Sequence, residues 1–341
     1  MRKTLAVAAM TTAAALVLAA CGNGTDDDVT ADDASEQTNE DVDPGDVTYS
    51  IGILQLVDHP SLDQSNDGFV QAFEDAGISV DFDQQNANGD QSVASTIAGT
   101  FASENHDLVL AIATPAAQAA AQAITDVPVL ITAVTDPVDA GLVDSLDAPG
   151  GNVTGTTDAN PVLEQLELIL EIVPDAETIG VPYSPGEANS LVQVEWAKEA
   201  ADELGLEIVE AAAVASADVR QAAETLTGVD AIYVPTDNVV VSALESVLQV
   251  GETNDVPVFG AEGDSVARGA VATFGLSYFE LGYQTGEMAI DILVNGADPA
   301  AMPVETQNDL LLYLNLGAAE RMGVEIPEDL LDRAEAENIT E

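Results

Sequence analysis

The chain has 341 residues, with 61 Asp and Glu against 7 Lys and Arg and a formal charge of −54 at neutral pH, yet 47% of its residues are hydrophobic. That apolar content separates it from acidic disordered chains, which cannot build a core, and so few, scattered basic residues exclude recognition of a phosphate backbone. The length is that of roughly two domains of about 100–200 residues, so a cleft between domains is the place to look for a site.

The first element is a targeting segment, residues 1–20. Arg2 and Lys3 precede a small-residue, largely apolar stretch that ends Leu18-Ala19-Ala20-Cys21, the layout of a secretory signal. Small residues just before a cysteine match the bacterial lipobox, so the mature chain is expected to begin at a lipid-modified Cys21. It is the only cysteine, which leaves no disulfide and no thiol chemistry elsewhere. Two acyl chains on a lipidated N-terminus anchor firmly where one is marginal, placing the body outside the cytoplasmic membrane. Residues 21–47 follow as a linker, in which Gly22 to Val47 contain ten Asp or Glu and hardly any large apolar side chain. Such a segment stays extended and solvated. The acidity continues on predicted helix faces, as at Glu195, Glu199, Asp202 and Glu203. Life in high salt or at alkaline pH explains it best, since screening removes the self-repulsion. A dedicated cation site finds no DxDxDG loop in support, and neither metal nor cofactor is expected.

From Val47 onward short β-rich runs alternate with longer segments of helical spacing, the pattern of parallel βαβ units. Strands are predicted at 49–56, 79–84, 108–113, 129–133, 178–183, 207–212, 231–234, 256–259 and 270–274. Helices are predicted at 61–76, 91–104, 115–124, 161–172, 187–204, 216–226 and 239–254. One family of units precedes about Gly155 and another follows it, so the fold class is α/β, with two doubly wound parallel-sheet lobes. Ligands bind such sheets beyond the carboxyl ends of the strands.

The strand-to-helix turns carry the candidate chemistry. At Ala113-Thr114-Pro115-Ala116, Thr114 reads as a helix cap and Pro115 as the first helical residue. The free amides beyond it, with that of Ala116, could take a carboxylate without an Arg, or Thr114 could simply cap. A similar turn runs through Thr135-Asp136-Pro137. At Pro235-Thr236-Asp237-Asn238, Asp237 either caps a helix or accepts an ammonium. After the strand ending at Tyr183, Gly186 permits close approach, and Glu187, Asn189 and Ser190 offer donors and acceptors. Glu187 could equally be a first-turn acid favoured by the helix dipole, and Tyr183 a stacking platform or a core residue. Gln55, His59 and Pro60 follow the first strand, where His59 could also be a plain turn residue before proline.

Seven segments occur in order: Ile51 to Asp63, Ala113 to Gln118, Ala133 to Pro137, Pro149 to Gly155, Pro185 to Ser190, Tyr233 to Asn238 and Glu280 to Gly286. Together they resemble the ABC transporter substrate-binding family whose named members take up tryptophan or other aromatic amino acids. The resemblance implies a type I periplasmic-binding fold with hinge crossings near 154–158, 274–279 and 306–309. It divides the body into an N-terminal lobe (48–155 plus 277–307) and a C-terminal lobe (156–276 plus 308–341). A zwitterionic ligand would then place its ammonium on Asp237 or, second, Glu187. Its carboxylate would meet Thr114, the Ala116 amide and Thr135, with Asn189, Ser190 and Asn238 closing from the other lobe. Gln55, His59 and Pro60 would border the side-chain pocket. Partners would be a small-molecule ligand, an ABC permease and its ATPase, with the chain itself a monomer. An alternative is a sensor that presents a sugar- or nucleoside-loaded form to a membrane signalling partner. Ser184, Ser277 and Phe279 depart from residues common in similar sequences. No enzyme reading fits: paired-thiol racemase chemistry lacks its cysteines, and no HExxH, P-loop, GxSxG or Rossmann fingerprint occurs.

Overall fold

The computed structural model describes residues 47–307 and 310–341. The signal segment, Cys21, the linker up to residue 46, and Asn308 and Asp309 of the third expected crossing lie outside the described residues.

In chain order the elements are β1 (Thr48–Gln55), α1 (Pro60–Ala76), β2 (Ser79–Asn86), α2 (Gln91–Phe101), β3 (Leu108–Ile112), α3 (Thr114–Ala123), β4 (Val129–Val134) and β5 (Val153–Thr157). There follow α4 (Val162–Ile172), β6 (Thr178–Tyr183), α5 (Ala188–Leu204), β7 (Glu207–Ala212), α6 (Val219–Thr225), β8 (Ala231–Val234), α7 (Asn238–Val241), α8 (Leu244–Asn254), β9 (Val258–Gly260) and α9 (Gly263–Arg268). The chain ends with β10 (Ala272–Gly275), α10 (Tyr278–Asn295), β11 (Glu305–Thr306), β12 (Leu311–Asn315), α11 (Leu316–Arg321), α12 (Glu328–Arg333) and β13 (Ile339–Thr340). No described helix is long and apolar enough to cross a membrane.

One sheet has the order β11-β5-β4-β3-β1-β2 and a second the order β7-β6-β8-β9, every pairing in both being parallel. A third, β10-β12-β13, pairs β10 and β12 antiparallel. Near-continuous apolar strands such as β3 and β4, buried at every residue, are what a sheet covered on both faces requires. Two cores result. The first gathers β1 to β5, α1 to α3 and α10; the second gathers α4 to α8, β6 to β10, β12 and the C-terminal helices. We refer to these bodies as the first and second lobes.

The expected α/β class with parallel sheets holds, with local corrections. The predicted helix at 239–254 is two helices broken at Ala243 (φ −121°, ψ 24°). Three β-branched residues open it, and the Ser242 hydroxyl donates back to the Asn238 carbonyl, a bond that competes with helix continuation. β5 and α10 have no counterpart among the predicted elements. β5 reads Val-Thr-Gly-Thr-Thr, yet it is fully buried because its threonines bond each other's neighbours: Thr156 Oγ1 lies 3.1 Å from Thr132 Oγ1 and 2.8 Å from Thr285 Oγ1.

α10 carries Gly282 and Gly286, residues that ordinarily weaken a helix. Here they let α10 lie against α1 with backbones touching: a Cβ on Gly282 would sit 1.9 Å from Ser65 O, and one on Gly68 2.0 Å from Phe279 O. This crossing brings the N-termini of α1 and α10 to the same place.

Candidate functional site

Within each large sheet the strand order reverses once, between β1 and β3 in the first lobe and between β6 and β8 in the second. Ligands bind beyond the strand ends at such switch points. The turns after these strands, together with the ends of β4 and β5, enclose a narrow cavity between the lobes, in which a water-sized sphere finds about 10 Å³ of space. That is room for about one water molecule, far below the roughly 300–1,000 Å³ usual for ligand pockets. The first lobe contributes His59, Leu62, Ala133, Thr135, Asp158 and Tyr278; the second contributes Asn189, Thr236, Asp237, Asn238, Val241 and Glu262. Larger depressions outside α10 are open and lined by Asp75, Glu287, Asp291 and Glu305, and among the described residues no buried unpaired polar atom borders them.

The lobes touch across the cleft. Ser61 Oγ lies 2.8 Å from Glu262 Oε2 and 3.0 Å from Asp264 Oδ2, and Gln64 Nε2 donates to Asp264 Oδ1 at 2.8 Å. Gln91 Nε2 reaches the Gly186 carbonyl at 3.2 Å, and the hydroxyls of Thr135 and Thr236 meet at 3.4 Å. One serine proton cannot serve two carboxylates, and burial pushes Glu262 up to about 7, against the hydrogen bond from Ser61.

On the first-lobe wall, His59 precedes the first residue of α1 but makes no capping bond. Burial is the main cause lowering its pKa to about 4, opposed by the Asn238 side chain, so the ring is neutral. Its Nδ1 has no partner. Asp158, just beyond β5, accepts from the Tyr278 hydroxyl at 2.7 Å through Oδ2, while Oδ1 is buried and unpaired. Burial raises this carboxyl to about 6, opposed by Tyr278 and Thr135. The backbone around it is strained. Ala133 has φ 54° where the β4–β5 register shifts, and Ala113, before α3, has φ 82° and ψ 151°, a region that non-glycine residues occupy at a cost of about 1–3 kcal/mol.

On the second-lobe wall nearly every polar atom is committed. Asp237 caps α7 through Val240 N at 2.8 Å, and its other oxygen accepts from Ser184 N at 2.5 Å and Ser190 Oγ at 2.6 Å. Glu187 Oε2 accepts from Asn189 Nδ2 (3.1 Å), Asn238 N (3.2 Å) and Asn238 Nδ2 (2.8 Å). Burial raises both carboxyls, and the charge of Asp237 raises Glu187 further. Gln193 fixes the Thr236 turn by accepting from Thr236 N at 3.1 Å and donating to Thr236 Oγ1. The exception is Asn189: its Nδ2 is spent on Glu187 and the Thr236 carbonyl, leaving Oδ1 buried and unpaired.

Of the sequence candidates, His59, Thr135, Asn189, Asp237 and Asn238 line the cavity. Glu187 and Ser190 stand behind it as the hydrogen-bonded frame. Thr114 is not the cap: α3 begins at Thr114 with Ala113 in the cap position, and the Thr114 hydroxyl is buried without a partner. Ala116 is buried in the first turn of α3. The others face elsewhere. Gln55 Nε2 donates to Val57 O and Asp63, Pro60 is exposed as the first residue of α1, and Asp136 caps its own turn through Val138 N and Asp139 N. Tyr183 is half-buried against the second core beside Glu210 and Lys198, so it packs there rather than stacking in the cleft. Sequence reasoning missed Asp158, Tyr278, Glu262, Leu62, Ala133, Thr236 and Val241 as lining residues.

All five described Lys and Arg residues are paired with glutamates, and none lines the cavity. An anionic group there must be met by neutral donors. Away from the cleft, Asp83, Glu104 and His106 bring one potential metal-ligand atom each within 4.8 Å. Both His106 nitrogens already have partners, Ser50 Oγ at 3.0 Å and Glu104 at 3.1 Å.

Residues 50–338 match the family described as ABC transporter substrate binding protein. The chain is 44% identical over 273 residues to a tyrosine-binding protein of Clostridioides difficile strain R20291, covering 78% of each. Two solved structures resemble it closely. One is the ABC domain in complex with L-Trp from Streptococcus pneumonia, with TM-score 0.82, 37% identity, and coverage of 84% of this chain and 99% of that one. The other is the ligand-free, open structure of a substrate binding protein with adhesive properties from Clostridium difficile, with TM-score 0.65, 45% identity, and coverage of 86% and 98%. The shape is thus nearer that of the complex, although the identity to it is lower.

Proposed function

Because the chain belongs to the ABC transporter substrate binding protein family, whose members are non-enzymatic solute receptors, we propose that it captures an amino acid, aromatic in side chain, between its two lobes. The observation that carries this reading is an inter-lobe cavity in which three buried acceptors, His59 Nδ1, Asp158 Oδ1 and Asn189 Oδ1, lack a donor among the described residues. Buried polar atoms are normally paired, so the missing donors belong to the ligand. An ammonium supplies those for Asp158 and Asn189. Asp158 is its counter-ion and Asn189 meets it from the second lobe, while Asp237 holds the frame. The carboxylate lies toward the unpaired Thr114 hydroxyl and the free amide of Ala116 at the start of α3, with Thr135 beside them. The relatives named for tyrosine and L-Trp support the aromatic class.

A ligand that contacts both lobes shifts an open–closed equilibrium by its differential affinity. The inter-lobe bonds of Ser61, Gln64 and Gln91 and the greater similarity to the L-Trp complex support reading this arrangement as the closed one. Closed and loaded, the protein would deliver its cargo to a permease driven by an ATPase. It would work outside the cytoplasmic membrane, held there by lipid on Cys21. Cys21→Ser should release it from membranes; a variant that stays bound would exclude the anchor. The −54 charge is read as adaptation to high salt, so the melting temperature should rise with salt, and a flat response would sink that idea.

The direct test is a thermal-shift panel on protein unfolded and refolded to remove carried-over ligand, against all amino acids, several sugars and nucleosides. At a hundred times its dissociation constant a true ligand adds about 2.7 kcal/mol. Shifts confined to aromatic amino acids support the reading. Shifts with sugars or nucleosides alone overturn it.

A further inference from the structure

We propose that His59 selects among aromatic amino acids by accepting a hydrogen bond from a donor at the far end of the ligand side chain, so that tyrosine is favoured over phenylalanine. This rests on the amino-acid reading above and deepens it.

The protonation pattern of the ring follows from its neighbours. Asn238 Nδ2 is committed to Glu187 Oε2 at 2.8 Å, so what Asn238 has left to turn toward the His59 ring across the cavity is its side-chain carbonyl. A carbonyl can only accept, so the ring nitrogen facing it carries the proton. Nδ1 has no partner, so the protonated nitrogen is Nε2. A neutral imidazole has one donor and one acceptor nitrogen, and Nδ1 is therefore a bare lone pair. It is buried, it does not cap α1, and the ring that carries it lines the cavity.

Position assigns this acceptor to the side-chain end of the ligand. His59 follows β1 and Asp158 follows β5, and the order β5-β4-β3-β1 puts them three strand spacings apart, roughly 14 Å at about 4.8 Å per spacing. An extended aromatic amino acid with a hydrogen bond at each end bridges such a span. With the ammonium on Asp158, the para position points toward His59, and Leu62 and Val241 supply apolar lining. A phenol hydroxyl gives its proton to Nδ1. Phenylalanine offers none and leaves the lone pair buried and unsatisfied. Tryptophan, with its indole N–H, is expected to depend on His59 as tyrosine does.

The test is titration calorimetry of ligand-stripped protein with tyrosine and phenylalanine, in wild type, His59→Leu and His59→Gln. Wild type should prefer tyrosine by about tenfold or more, the usual consequence of leaving a buried acceptor unmet. His59→Leu should bring the two affinities within about threefold of each other, mainly by weakening tyrosine, and His59→Gln, which keeps an acceptor, should restore part of the preference. Equal binding of the two amino acids by wild type overturns the proposal without any variant having to fold, as does a preference that survives in His59→Leu. Both of those results leave the receptor reading intact. If no amino acid binds wild type at all, that reading itself fails and this one with it.

Discussion

The two walls of the cleft are built from similar residues and use them in opposite ways. On the second-lobe side, Asp237 and Glu187 are surrounded by donors: Ser184, Ser190 and Val240 on one, Asn189 and Asn238 on the other. On the first-lobe side, Asp158 has a single hydrogen bond at one oxygen, from Tyr278, and nothing at the other. Both carboxylates are buried and both are raised, so burial alone does not distinguish a binding group from a framing group. The count of satisfied lone pairs does. A carboxylate that is already met organises its own lobe; one left open is, on the proposed reading, where a donor from outside the chain would bind.

That contrast predicts which function each residue loses. Asp237→Ala should destabilise the fold by about 3–5 kcal/mol, since it strands three buried donors at roughly 1–3 kcal/mol each, with some relief because Glu187 loses a like-charged neighbour. Urea unfolding reads this directly. Asp158→Asn should change stability by less than about 1 kcal/mol while weakening amino-acid affinity by about 2–4 kcal/mol, the scale for truncating one partner of a buried charge pair. If Asp237→Ala folds normally and loses ligand while Asp158→Asn binds as wild type, the roles are reversed, and the assignment made from the Pro-Thr-Asp-Asn turn was the right one.

The pH dependence should separate the walls further. An ammonium needs Asp158 ionised, and in the empty site this carboxyl is raised to about 6. Affinity should therefore weaken about tenfold per unit as pH falls below about 6 and be flat above it, with a proton released on binding in the acidic range. Ligand-free stability should move the other way. Asp158 and Glu262 bind protons in the native state that the unfolded chain has already lost, so stability falls as pH rises from about 4 to about 7. His59, lowered to about 4, offsets part of this between about 4 and 6.5, where its native form binds fewer protons than the unfolded chain. A ligand-free melting temperature that climbs steadily from pH 5 to 7.5 would contradict the carboxyl account.

What could be read from the sequence follows the same line between hydrophobic pattern and local polar geometry. β1, β3, β4 and β6 are apolar runs, and their expected positions differ from the observed ones by a residue or so. The Asp237-Asn238 turn and the Glu187, Asn189 and Ser190 turn were legible as polar clusters at strand ends, and the structure joins them into one frame. β5 was illegible because threonine–threonine bonds bury it without a hydrophobic run, and Asp158 at its end was passed over with it. α10 was hidden by glycines whose role appears only when α1 lies against them, and Tyr278 was lost with that helix. The one-residue shift at Thr114 comes from Ala113 at φ 82°, a conformation no propensity would assign to alanine.

The central claim, that the open acceptors of Asp158 and Asn189 await an ammonium, is tested most directly by calorimetry with tyrosine and 3-(4-hydroxyphenyl)propanoate, which keeps the ring, hydroxyl and carboxylate but lacks the amine. The account predicts that tyrosine binds and the deaminated analogue binds at least a hundredfold more weakly, on the scale of a lost buried charge pair. Equal binding of the two would contradict it.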